Sequence, residues 1–124
     1  LYVAAAIGDI LGGRTKLITN AGGINPIGAG RAVVGALAAH GVTGVKVATI
    51  VGDDIRPHAE PLGLAADTLF ANAYLGARPI VEALERGADI VIGGRIADAS
   101  LFLAPLIHEF GWSLDDWDRP EDVR

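Results

Sequence analysis

The sequence predicts an α/β fold: a parallel sheet with alternating helices, Rossmann-like in its three layers, and incomplete. Three observations predict it. Short β-prone runs alternate with segments that carry helix start and stop signals, which implies parallel strands joined by crossovers. A polar, glycine-rich loop follows each predicted strand. Small residues abound, with 17 Gly in 124 residues, and they suit close helix-on-sheet packing. The length fits one domain at most, residues 1–124. The chain has no methionine and begins at Leu1, so it reads as a fragment of a longer protein.

The elements follow in order. Leu1 to Ile7 is apolar but lacks a basic start and a cleavage site, so it is not a signal peptide. Lys16–Thr19 is a short β-prone run. Asn25 is a good N-cap, Pro26 suits the first helical turn and Gly41 is a stop signal, which predicts a helix over Pro26–His40. Val45–Val51 is β-branched and lies between Gly44 and Gly52, the clearest strand. Arg56–Asp67 contains two prolines and reads as a loop with a short helical turn near Leu64. Leu69–Tyr74 reads as a further strand.

Pro79–Arg86 is amphipathic and predicts a helix stopped by Gly87. Asp89–Ile92 is a buried-type strand. Ala99–Phe110 predicts a last helix, capped by Asp98 or Ser100 and ended by Gly111, with Pro105 expected to kink it or to break its first turn. The acidic stretch Asp115–Asp122 reads as the start of a surface loop.

Composition excludes several functions. The formal net charge is -5 with only 10 Lys and Arg, and there is no basic run, so no nucleic-acid surface is expected. No apolar run is long enough to span a bilayer. The absence of cysteine removes disulfides and thiolate chemistry, and a cytoplasmic location is the expectation. His40, His58 and His108 are scattered and form no zinc set. Ser100 sits in no nucleophile elbow, which argues against a serine hydrolase.

In parallel sheets, ligands bind outside the carboxyl ends of the strands. The loops Asn20–Asn25, Gly52–Asp54, Asn72–Tyr74 and Gly93–Arg95 each follow a predicted strand and would meet at that edge. Gly22 and Gly23 allow close approach of a ligand, and the helix N-terminus after Asn25 favours an anion. The plain alternative is a tight turn with an Asn cap. The loop is neither a dinucleotide fingerprint nor a P-loop, because both spacings are absent. Asp53 and Asp54 are candidates for a catalytic base or for ligands of a divalent metal such as Mg²⁺, or they are a solvated strand end. Arg95 offers a planar fork to phosphate or carboxylate, or pairs with Asp98 across its own loop. Asn20, Asn72 and Tyr74 complete the candidate ligand-binding set.

The same segments carry a resemblance. Thr19–Pro26 (TNAGGINP), Val51–Asp54 (VGDD), Ala71–Ala77 (ANAYLGA) and Ala88–Arg95 (ADIVIGGR) resemble blocks of the acyclic terpene utilisation (AtuA-type) family. Leu106–Trp112 with Asp115–Asp118 is similar to the family's next block. The resemblance implies a segment of the family's N-terminal domain, with a glycine-rich block and a carboxyl-terminal region belonging to the longer protein. It implies catabolism of branched terpenoid acids, such as citronellate and geranate, through coenzyme A thioesters.

The expected function is therefore a catabolic protein of acyclic terpenoid or branched acyl-CoA degradation. In one form it is a lyase- or hydratase-like enzyme that binds a small anionic or acyl-CoA ligand, with coenzyme A as part of the substrate. The alternatives are a non-catalytic α/β binding or assembly module and a nucleotide-binding domain. A homo-oligomer or a partner subunit is expected in the full-length protein.

Overall fold

A computed structural model describes residues 2–13 and 15–115, with side chains from residue 6 onward. The elements run α1 (Tyr2–Leu11), β1 (Leu17–Thr19), α2 (Pro26–Ala39), β2 (Val47–Ile50), α3 (Arg78–Glu85), β3 (Ile90–Gly93) and α4 (Asp98–Phe110). The three strands form one sheet in the order β1-β3-β2, and both pairings are parallel. β3 is thus central, although it is the last strand in sequence. Leu17 and Val47 both stand in register with Ile90.

The alternation of side chains along β3 divides the core. Ile90 and Ile92 join Ile10 of α1 and Leu37 of α2 on one face. Val91 joins Ile80, Val81 and Leu84 of α3 and Ile107 of α4 on the other. Every β3 residue is buried. A strand covered on both faces reads as a continuous apolar run, which is why Ile90-Val91-Ile92 is the least ambiguous stretch of the sequence. Burying each such side chain contributes roughly 1.5–3 kcal/mol.

The helices end and begin as their signals indicate. Asn25 caps α2, its Oδ1 accepting from the Gly28 N–H at 2.9 Å, and Pro26 opens the helix. Gly30 lies directly against Thr49 of β2, so α2 approaches the sheet as closely as its small residues suggest. Gly111 ends α4 at φ 62, a left-handed conformation that costs glycine little.

Some expectations are corrected. Leu69–Tyr74 is not a strand of the sheet. Leu69 and Phe70 are 83% and 72% exposed, so their apolar character does not reflect burial against a layer. The segment instead makes single bridges, Asp54 with Asn72 and Leu75 with Ile96. The helical turn of the long loop lies at Arg56–His58, where Pro57 opens it, and not near Leu64. α4 begins at Asp98, so its N-cap is Ala97, which has no side chain to cap with; Asp98 and Ser100 lie inside the helix, and the Asp98 carboxylate accepts from Asn20 instead. The helix continues through Pro105 without a break. α4 rests mainly on α3, and its Ala104 and Ile107 join the core on that face of the sheet. α1 is a helix that composition alone did not announce. Only Asp115 of the acidic stretch lies within the described residues.

The amino ends of the strands are tied by Asp89. Its Oδ2 accepts from the Lys46 N–H at 2.9 Å and its Oδ1 from Lys16 Nζ at 3.1 Å, while Leu17 N–H donates to its carbonyl at 2.9 Å. The Lys46 backbone bond, with a smaller contribution from Lys16, holds the Asp89 carboxyl below its ordinary range despite partial burial. A lowered folded pKa means that the stabilisation is complete above the ordinary value of 3.8 and is lost as pH falls below it. Asp89→Ala should therefore destabilise the fold by roughly 1–3 kcal/mol at neutral pH. In urea unfolding followed across pH, the difference from the unsubstituted chain should shrink as the medium becomes more acidic than that value.

Candidate functional site

Parallel strands deliver their following loops to one edge of the sheet. The loops after β1 and β3 meet there with the Asn72–Tyr74 stretch around a pocket of about 310 Å³. Asn20, Asn72, Tyr74, Arg95 and Asp98 contribute its polar walls, and Ile24, Ile96, Gly23 and Gly94 the remainder. A second groove, of about 400 Å³, runs along the open edge of β2 toward α3. It is larger but is bounded mainly by strand backbone and the outer turns of α3. The smaller pocket is the candidate site, because the polar side chains delivered by separate loops converge on it.

Asp53 lies beneath this pocket, 4% exposed. Its Oδ2 accepts from Asn72 Nδ2 at 2.9 Å and from the Arg95 N–H at 2.9 Å. Ala73 N–H donates to the Asp53 carbonyl at 2.8 Å. One buried residue after β2 thus joins the crossing loop to the loop after β3. Leu75 and Ala97 extend the seam: Leu75 N–H donates to the Arg95 carbonyl and Ala97 N–H to the Leu75 carbonyl. These bonds account for the extended course of residues 71–75.

Asp54 turns elsewhere. Arg56 grips it bidentately, Nη2 to Oδ2 at 2.6 Å and Nε to Oδ1 at 2.9 Å, and also donates its own N–H to Oδ1. These bonds, the guanidinium first, hold the Asp54 carboxyl down at about 2. Arg56 Nη1 reaches the Leu69 carbonyl at 3.0 Å, so the pair braces the two ends of the long loop. The two adjacent carboxylates therefore have separate commitments. Among the described residues no three His, Asp or Glu side chains gather where a metal could be held.

The other candidate residues are placed as follows. The Arg95 guanidinium lies over the Tyr74 ring, 5.4 Å from its centroid. It has no carboxylate partner among the described residues, and an Arg95–Asp98 ion pair is not formed. Asn20 Nδ2 donates to Asp98 Oδ1 at 2.9 Å across the pocket wall. Gly22 is buried and its N–H donates to the Gly93 carbonyl at 2.9 Å, so it seats the first loop on β3 without lining the pocket. Gly23 lines it with φ 57. Asn25 is spent on capping α2 and stands outside the pocket.

Sequence reasoning passed over three residues that matter here. Ile24 and Ile96 supply the apolar walls, and Arg56 supplies the counter-ion of Asp54. Arg56 had a usable signal, since a basic residue two positions after an acidic strand end can close a turn on it.

The family model described as "Acyclic terpene utilisation family protein AtuA" matches residues 2–120, and the chain belongs to that family. No curated protein and no solved structure matches the chain. Among the described residues no helix is long and apolar enough to cross a membrane.

Gly94, in the pocket wall, has no room for a side chain. A Cβ at this position would stand 2.6 Å from Asp53 Oδ2 and 2.8 Å from the Gly23 carbonyl oxygen. Gly94→Ala should force both loops apart, costing roughly 1–3 kcal/mol in denaturant unfolding. The side-chain amide resonance of Asn72 should shift as its bond to Asp53 lengthens.

Proposed function

We propose that this member of the acyclic terpene utilisation family binds a small anionic ligand of branched-acid catabolism in the pocket at the carboxyl edge of its sheet. Arg95 is the anchor. The observation that carries this reading is a guanidinium placed over an aromatic ring, without a carboxylate partner among the described residues, at the edge where parallel sheets take their ligands. A planar cation held in this way keeps its donors available for a carboxylate or a phosphate. Ile24, Ile96 and the Tyr74 ring give a branched chain an apolar wall. In its finer form the ligand is a branched acyl-CoA or its free acid, and the reaction is lyase- or hydratase-like. The family supports the pathway, and the anchor supports the anionic end of the substrate.

A second reading, an assembly module, is favoured by one observation. Phe102, Leu103, Leu106 and Phe110 form an exposed apolar stripe on α4, opposite the buried Ser100, Ala104 and Ile107. Sedimentation of the chain at increasing concentration separates the readings. A self-assembling or partner subunit should associate through this stripe, and Leu106→Asp should abolish the association.

For the binding reading, Arg95→Ala should weaken a branched free acid such as isovalerate, and an acyl-CoA that carries it, by roughly tenfold or more in calorimetric titration. The melting temperature should stay near that of the unsubstituted chain, because Arg95 serves the seam through its backbone N–H and carbonyl, which alanine keeps. Equal affinity in both proteins would remove Arg95 as the anchor.

A further inference from the structure

The hydrogen-bonding polarity of the pocket is set from outside it. A carboxylate can only accept, whereas a side-chain amide has a donating end and an accepting end. Asn20 directs its Nδ2 to Asp98 Oδ1, and Asn72 directs its Nδ2 to Asp53 Oδ2, both at 2.9 Å. Each planar amide is therefore oriented. A flip would set a carbonyl oxygen against a carboxylate oxygen and lose the bond. Neither Asn20 Oδ1 nor Asn72 Oδ1 accepts a hydrogen bond from the described residues, and no buried side-chain oxygen among them lacks a partner. Both oxygens are consequently open, and both residues line the pocket. Beside the donors of Arg95 the pocket thus carries two amide acceptors whose orientation is locked.

We propose that the pocket selects, among anionic ligands, those with a hydrogen-bond donor close to the anionic group. The donor is a hydroxyl or an amide N–H. Asn20 and Asn72 recognise it, and Asp98 and Asp53 act as positioning residues that fix the two amides. This rests on the reading of Arg95 as the anion anchor. An anion without a donor would leave the amide oxygens facing an apolar group and stripped of water, a loss that the carboxylate–Arg95 contact does not recover.

The test compares three acids of similar size on the 124-residue chain by NMR titration: isovalerate, β-hydroxyisovalerate and N-acetyl-β-alanine. The hydroxy acid, the amide acid or both should bind about 3–10-fold more tightly than isovalerate, and whichever does so identifies the donor. In Asp98→Asn the Asn20 amide gains a partner that can donate as well as accept, so the preference should fall toward parity whatever happens to the common affinity. Asp53→Asn should do the same through Asn72. Arg95-dependent binding of all three acids with equal affinity would overturn the selectivity and leave the anion anchor standing. Failure of all three to bind would overturn both. A preference undiminished in both aspartate variants would overturn the positioning role.

Discussion

The constraint on which the rest depends is the double-sided burial of β3. A strand with no exposed face must have a layer on each side, and the period-two alternation of Ile90, Val91 and Ile92 decides which residues each layer meets. α1 and α2 answer one face, and α3 with α4 the other. β1 and β2 then have no freedom of register, since both are read against Ile90. A slip of one residue would turn their partly buried side chains to the wrong layer. The site inherits this. Its loops meet because three parallel strands end level with one another, and Gly93-Gly94 continues the central strand into the floor of the pocket.

Two aspartates perform matching tasks at opposite ends of that sheet. Asp89 gathers the amino ends through Lys16 and the Lys46 N–H, and Asp53 gathers the carboxyl ends through Asn72 and the Arg95 N–H. Asp89 is partly open to water and has a lysine beside it. Asp53 is buried, with an amide and a backbone N–H as its partners. A buried carboxylate without a cationic neighbour depends on well-placed donors, and this gives the loops around Asp53 little latitude.

The fold was largely legible because its strongest signals are local. Asn25-Pro26, Gly41, Gly87 and Gly111 mark helix ends through backbone preferences that need no tertiary context. The central run 90–92 announces its own burial. Leu69–Phe70 misled for the converse reason: apolar residues on an exposed, extended segment look like strand residues until their surroundings are known. The candidate site was legible to the level of loops and not of side chains. Strand polarity brings Asn20, Arg95 and Asp98 to one edge, whereas Asn72 arrives on a crossing segment that is not a strand of the sheet and is held there by Asp53. Whether Asn25 serves a helix or a ligand, and whether Asp54 faces a pocket or Arg56, depends on hydrogen bonds within a few residues. Those bonds compete with the site, and spacing does not rank them.

Arg95 divides its labour in a way that has an evolutionary consequence. Its backbone N–H belongs to the architecture, through Asp53, while its side chain lies over Tyr74 on the pocket wall. Every residue except proline has that N–H. Selection can therefore exchange this side chain for a shorter, neutral or oppositely charged group while the seam beneath it stays closed. Gly94, one position earlier, has no such liberty. The loop thus sets a position with no room for a side chain beside one whose side chain the seam does not use, so the chemistry of the pocket wall can change at a single codon while the fold stays as it is.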